Sequence, residues 1–306
     1  MMNTFLSSDG KTPIYYRAWL PTGTPKAVLV ICHGMLEHIE RYEEFASRLN
    51  KQQIAVYGHD HLGHGHSILS PEDKGFFAEK DGNQCVVNDY YKMIVIASQA
   101  HPTTPLFLMG HSMGSFILRQ LLHHRQLPAL HGAIIMGTGH APKALVQSGK
   151  ALATFIAKTR GQRYKSDLLY HLALGSNSKN ISPAPTGYEW LSRDEERVHH
   201  YIHDPFNGDN FTAQAYADMF SGMLTNYDPA RLSTLDRKLP LLLVSGSHDP
   251  VGDNGKAVEA LYKSYLEMNY KDVSLILYPE ARHELLNENN RAEVIHDIIN
   301  WLTLHY

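Results

Sequence analysis

Apolar residues along this 306-residue chain gather into short, nearly continuous runs, separated by stretches in which they recur at helical spacing. The runs "KAVLVICHG", "IAVYGHD", "PLFLMG", "HGAIIMGTG", "LPLLLVSGSHDP" and "DVSLILYPEARH" read as strands. Between them "ERYEEFASRLNKQQ", "CVVNDYYKMIVIASQAH", "SFILRQLLHHRQL", "GKAVEALYKSYLEMN" and "RAEVIHDIINWL" read as helices. A strand that is apolar on both faces must be covered on both, and helices in βαβ crossovers do so. The pattern therefore predicts an α/β fold around a parallel sheet. At the amino end, "NTFLSSDGKTPIYYRAWL" is expected to form two strands around Asp9-Gly10, a dipeptide that accepts the positive φ of a tight hairpin.

This rhythm stops near residue 141 and resumes after 232. The interruption holds helical stretches, several aromatics and Pro183, Pro185 and Pro205, but no β-α repeat. Residues 1–140 and 233–306 are thus expected to form the core and 141–232 an inserted helical cap. Within the cap, "WLSRDEERVHHYIHDP" predicts a helix with Ser192 as its N-cap and Glu195 completing a capping box. Residues 141–166 carry six basic side chains, Lys143, Lys150, Lys158, Arg160, Arg163 and Lys165, and no acidic one, with Leu145, Leu152, Phe155 and Ile156 among them. Such a basic amphipathic helix suits peripheral contact with an anionic membrane; a solvated cap helix is the plainer alternative.

At 43% apolar and 19% charged residues, the composition is that of a globular protein able to bury a large core. The formal net charge of −3 leaves no basic excess, which argues against a nucleic-acid partner. Cys32 and Cys85 are the only cysteines and form no C-x-x-C pair, so neither a disulfide framework nor an all-thiolate zinc site is expected. The amino-terminal segment lacks the pattern of a secretory signal, and no apolar run approaches the roughly 18 residues of a membrane span. A cytoplasmic protein is expected.

Candidate chemistry centres on "LFLMGHSMGSFILRQLL", in which Gly110, Ser112 and Gly114 spell G-x-S-x-G between a strand and a helix. That context is what the motif requires, because glycines allow a turn so sharp that the serine hydroxyl stands clear of the sheet. A serine needs a base to become nucleophilic, and the base needs an orienting acid. Both belong at the carboxyl ends of later strands, where parallel α/β sheets place their ligands. Asp249 follows "LPLLLVSGSH" and His283 follows "VSLILYPEAR", in the expected order Ser, Asp, His. Asp253 lies farther from its strand end and Asp272 precedes a strand; His248 precedes the acid, and His296 and His305 lie in or beyond the last helix. Two amides must stabilise the oxyanion: Met113, after the nucleophile, and Met35, in the turn that follows His33-Gly34. Trp190, Phe206 and Phe211 are candidate walls of an acyl pocket; His33 and Gly34 are further candidates for substrate binding, with a plain strand-end turn as their alternative.

Taken together, "HGMLEHIERY", "HDHLGHGHS", "GHSMG", "WLSRDEERVHHYIHDP", "SGSHDPVGDNGKAV" and "YPEARHELLNE" resemble the α/β-hydrolase superfamily, and within it the monoacylglycerol lipase and lysophospholipase-like group. The resemblance covers nearly the whole chain. It implies an eight-stranded, mostly parallel sheet, a cap after the sixth strand, and serine esterase chemistry on monoacylglycerols, lysophospholipids or similar single-chain esters, with no cofactor. It assigns nucleophile, acid and base to Ser112, Asp249 and His283, and the oxyanion amides to Met35 and Met113.

The stretch "GHDHLGHGHS" raises a rival reading, since His59, His61 and His64 follow an H-x-H-x-x-H spacing like that of the metallo-β-lactamase family. That pattern needs an aspartate before its third histidine, where Gly63 stands, and no downstream residue completes a ligand set. No metal is expected; Asp60 and Ser67 are expected to hold the loop by local hydrogen bonds. A proline-iminopeptidase-like enzyme would use the same triad with cap acids, for which Asp194, Glu195 and Glu196 are available. Dehalogenases and epoxide hydrolases need aspartate where Ser112 stands. A binding module that keeps the fold without turnover is the alternative outside enzymes.

Overall fold

A computed structural model of the chain describes residues 2–123, 127–175, 177–179, 181–208 and 210–306. Eight strands form one open sheet: β1 (Thr4–Leu6), β2 (Pro13–Trp19), β3 (Ala27–Cys32), β4 (Ile54–His59), β5 (Leu106–His111), β6 (Gly132–Met136), β7 (Leu241–Gly246) and β8 (Val273–Tyr278). Their order is β1-β2-β4-β3-β5-β6-β7-β8. The pairs β1/β2 and β2/β4 are antiparallel and every other neighbouring pair is parallel. The α/β class and the mostly parallel eight-stranded sheet are as expected. In the first hairpin Asp9 Oδ1 accepts from the amides of Lys11 and Thr12, both at 2.9 Å, and Gly10 takes φ 81°.

Continuous apolar strands follow from burial on two faces. On β3 and β5, Val28, Val30, Leu106 and Leu108 pack to one side; Leu29, Ile31, Phe107 and Met109 pack to the other. The first face is covered by α2 (Gly82–Ala100), α3 (Met113–Leu121) and α9 (Lys256–Glu267), through residues such as Tyr90, Leu118 and Leu261. The second is covered by α1 (Glu43–Asn50) and α10 (Arg291–Leu304), through Phe45, Leu49, Ile298 and Trp301. Each fully buried aliphatic side chain is worth about 1.5–3 kcal/mol, and a one-residue slip would exchange the two faces, so register is strongly specified. The strand ends that carry the candidate site are held accordingly.

Between β6 and β7 run α4 (Lys143–Arg160), α5 (Asp167–Ala173), α6 (Glu195–His203), α7 (Ala213–Thr225) and α8 (Pro229–Leu232), with no strand among the described residues. α4 packs along α7. The helix expected from "SFILRQLLHHRQL" starts earlier, at Met113, and ends at Leu121; its residues 124–126 lie outside the described residues. The capping box expected at α6 is not formed. Asp194 is the N-cap, its carboxylate accepting from Arg197 N at 3.3 Å, and Glu195 is already helical and exposed. Ser192 Oγ instead donates to Asn287 O at 2.8 Å and accepts from Asp194 N at 2.9 Å. Aspartate caps as well as serine does, and the Asn287 carbonyl occupies the serine. Among the described residues no helix is long and apolar enough to cross a membrane.

Candidate active site

Ser112 sits between β5 and α3 at φ 53° and ψ −120°, a conformation that costs a non-glycine residue about 1–3 kcal/mol and persists only where its surroundings enforce it. Its flanking glycines show the enforcement. A Cβ on Gly110 would lie 2.4 Å from Gly114 O, and one on Gly114 would lie 2.0 Å from Cys32 O and 2.5 Å from His33 O. Backbone meets backbone on both sides of the serine. The turn is tied down by Ser112 N donating to Met136 O (3.0 Å) and Ser115 N donating to Ser112 O (2.9 Å).

Asp249 and His283 leave the sheet at the ends of β7 and β8. The His283 Nδ1–H donates to Asp249, with both carboxylate oxygens at 3.0 Å. Asp249 is fully buried, and it also accepts from Val251 N (2.9 Å) and Ser245 Oγ (3.3 Å), so its orientation is fixed by four contacts. A proton on Nδ1 leaves the lone pair on Nε2. Trp190 packs on the imidazole at 5.0 Å between ring centroids, and His283 N donates to Trp190 O at 3.3 Å. Neither rival acid is placed for this role: Asp253 is exposed and Asp272 meets His305 at 3.1 Å.

Ser112 and His283 line one small cavity of about 30 Å³. Gly34, Met35 and Trp190 line it too, as does a set of residues that the sequence did not single out: Leu36, Glu37, His111, Leu191, Glu284 and, from the segment between β6 and β7, Tyr170, Leu174, Tyr188 and Tyr201. Glu37 and Glu284 are flagged in retrospect by their place in "HGMLEHIERY" and "YPEARHELLNE"; the tyrosines carry no local signal, because only long-range packing brings them here. Met35 N has no acceptor among the described residues, and Met113 N opens α3, where helix amides have no intrahelical acceptor.

Three expected pocket residues lie elsewhere. His33 is fully buried behind the turn, its Nδ1 donating to Gly34 O (2.8 Å) and its Nε2 accepting from His61 N (3.0 Å). Phe211 is core, packed on Phe77 and His64. Phe206 packs tilted against His66, ring centroids 4.3 Å apart. Aromatic character alone does not distinguish a pocket wall from a core residue.

In the histidine-rich loop, His61 Nε2 donates to His33 O (3.0 Å) and His64 Nδ1 to Leu62 O (3.0 Å). Asp60 accepts from Ile39 N (2.7 Å) and His66 N (2.8 Å), and Ser67 Oγ from Tyr15 N (3.0 Å). Burial pushes the Asp60 carboxyl up to about 6 despite those amides, and pushes the His59 and His64 rings down to about 3 and about 4. Among the described residues no group of three or more His, Cys, Asp or Glu is arranged to hold a metal ion. A cleft of about 990 Å³ between α1, α6 and α10 is larger than the cavity at Ser112, but it contains neither Ser112 nor His283 and is crossed by ion pairs of Glu44 with Arg48 and Arg197.

Residues 23–290 match the family described as "Serine aminopeptidase, S33". The monoacylglycerol lipase of Mycolicibacterium smegmatis is 29% identical over 302 residues, covering 97% of this chain and 95% of that protein. The monoglyceride lipase of Homo sapiens is 30% identical over 312 residues, covering 97% and 89%. A crystal structure of a thermostable carboxyl esterase from Bacillus coagulans superimposes with a TM-score of 0.91 at 24% identity, covering 100% of this chain and 98% of the other, which shows the shared fold. The chain therefore belongs to the serine aminopeptidase S33 family of α/β-hydrolases, in its monoacylglycerol lipase-like group, and is a serine ester hydrolase of the lipase type.

Proposed function

We propose that the protein hydrolyses single-chain acyl esters, with monoacylglycerols and lysophospholipids as the substrate class, through an acyl-enzyme on Ser112. The observation that carries this reading is His283, buried, oriented by Asp249 through Nδ1, and sharing one cavity with a serine at positive φ. Ser112 Oγ attacks the ester carbonyl as His283 Nε2 takes its proton; the amides of Met35 and Met113 stabilise the oxyanion. Collapse breaks the ester C–O bond, and His283 protonates the departing alcohol. Water, deprotonated by His283, then attacks the acyl carbonyl, and the acid leaves with Ser112 restored. Asp249 keeps the imidazole in the working tautomer throughout.

Residues 141–232 act as the lid of this site. The cavity has room for one or two waters and not for an acyl chain, so the tyrosines above it must move for a lipid to enter. α5 presents Tyr170 inward, while Leu168 and Leu172 on its other side are more than half exposed. On α4, Leu145 and Phe155 are exposed at 64% each among the exposed Lys143, Lys150, Lys158 and Arg160. That combination favours peripheral docking of the lid on an anionic lipid surface.

The aminopeptidase reading requires an unpaired acid facing the site to hold a free amine. Asp194 is engaged with Arg291, and Glu195 and Glu196 are exposed on α6 away from the cavity; the carboxylates that line the cavity, Glu37 and Glu284, are paired with Arg41. The test is a panel of p-nitrophenyl esters of rising chain length beside monoacylglycerol, lysophosphatidylcholine and a prolyl anilide. Ester turnover that falls by several orders of magnitude in Ser112→Ala, together with loss of fluorophosphonate labelling, is expected. An unchanged rate in that variant, or preference for the anilide, would overturn the reading.

A further inference from the structure

Along one wall of the cavity lies a buried group of four charged side chains: Glu37, His111 and Glu284, which line it, and Arg41, which does not. Glu37 is only 4% exposed, yet it accepts from four donors. Its Oε1 takes Gly34 N at 2.5 Å, Tyr42 Oη at 3.0 Å and His111 Nδ1 at 2.9 Å; its Oε2 takes Arg41 Nη1 at 2.9 Å. Arg41 also donates through Nη1 and Nη2 to the two oxygens of Glu284, at 2.6 Å each. Two anions thus meet two cations, as a buried group of this kind requires.

His111 is bracketed by acceptors: Glu37 Oε1 on Nδ1 and the carbonyl of His283 on Nε2, at 3.4 Å. A ring that donates through both nitrogens is the imidazolium. Burial pushes the His111 ring down, but the hydrogen bond and charge of Glu37 outweigh it and hold the ring above its ordinary value. Glu37 itself, raised by burial, is brought well below the usual carboxylate range by His111, Arg41 and the Gly34 amide.

The sequence neighbours of these groups give the arrangement its meaning. Gly34 precedes Met35, His111 precedes Ser112, and Glu284 follows His283. Gly34 and His111 meet closely at Glu37: a Cβ on Gly34 would lie 2.7 Å from Glu37 Oε1, 3.1 Å from Ser112 Cβ and 3.2 Å from His111 Nδ1. We propose that Glu37 is a positioning residue for catalysis: its carboxylate clamps the turn carrying the Met35 amide against the elbow carrying Ser112 and, through His111, against the backbone of His283. The proposal rests on the reading of Ser112 as nucleophile and Met35 as oxyanion donor. The clamp acts on the distance between the two oxyanion amides, so its effect falls on the transition state and not on substrate binding.

The experiment is Glu37→Gln in the full chain, with active sites counted by fluorophosphonate and turnover of p-nitrophenyl butyrate expressed per labelled site. Glutamine keeps the shape and removes the counter-charge that lets His111 donate twice. The expected result is a fall in kcat per labelled site of about 100-fold, the scale of losing one oxyanion donor, with KM within about threefold. A residue that only supported the fold would lower the number of labelled sites and leave turnover per site unchanged; kcat per site within threefold of wild type would overturn the proposal. If Glu37→Gln does not fold, Tyr42→Phe removes one of the four donors without changing charge. A fall of about fivefold per site then supports the clamp, on the scale of one hydrogen bond, and no change refutes it. A wild-type protein that is not labelled at Ser112 would instead sink the reading of the nucleophile.

Discussion

Gly114→Ala offers a measurement of how tightly the site is built. The added Cβ would sit 2.0 Å from Cys32 O and 2.5 Å from His33 O, whereas real Cβ atoms stay beyond 3.0 Å from such neighbours. About 1 Å of separation must therefore open between the end of β3 and the start of α3, and both neighbours are backbone, so no rotamer change relieves the contact. The end of β3 leads into the turn bearing Met35, and α3 begins with Met113. The perturbation thus pulls the two proposed oxyanion amides apart, and a misplacement of 1 Å costs on the order of 100-fold in rate. Overpacking of this kind costs about 1–3 kcal/mol, which in a chain of this size lowers Tm by roughly 2–5 °C. The assay is kcat on p-nitrophenyl butyrate beside a thermal melt, with Gly149→Ala as control. At Gly149, inside α4, the new methyl meets only the edge of the Phe220 ring at 3.1 Å, and turnover should be unaltered. A Gly114→Ala enzyme with kcat within threefold of wild type would show that the two halves of the site are not coupled as described.

Asp249→Asn keeps the buried shape but presents an amide to His283 Nδ1, favouring the wrong tautomer; kcat should fall by roughly 10⁴-fold with the melting curve little changed, and a loss under tenfold would exclude Asp249 as the orienting acid. His59, packed between Phe5 and Tyr90, is held neutral by burial at about 3, so the unfolded chain binds more protons than the folded one below about pH 6.5, and stability is lost as pH falls from there toward 3. His59→Phe should therefore raise the stability of the protein by about 2 kcal/mol more at pH 5 than at pH 7.5, measured by denaturant unfolding; equal effects at both pH values would contradict the assignment. Wild type should float with anionic liposomes at low salt and lose that association in Leu145→Ser/Phe155→Ser, with turnover of soluble p-nitrophenyl butyrate retained; no flotation of wild type would remove the membrane-docking proposal.

Much of this architecture is written locally. Apolar runs that must be covered on both faces dictate a parallel sheet wrapped by helices, and Ser112, Asp249 and His283 are legible because each follows such a run. Gly110 and Gly114 are legible for a related reason, since only glycine lets the backbone at those points approach its neighbours so closely. What the sequence by itself determined was therefore the class of the fold, the strand ends and the residue types standing there. Only tertiary structure decided which aromatics face the cavity. Trp190 does, while Phe206 and Phe211 pack on histidines of the loop after β4, and Tyr170, Tyr188 and Tyr201 take the places above Ser112. Helix capping in the same segment was likewise settled from a distance, by the Asn287 carbonyl that holds Ser192. The charged group around Glu37 shows the same division: its members lie in motifs visible along the chain, but positions 37 and 284 share Arg41 only because β3 and β8 deliver their following loops to the same end of the sheet. Periodicity and turn chemistry act over a few residues and can be read from one segment; pairing and packing depend on partners hundreds of residues away, and no single segment contains them.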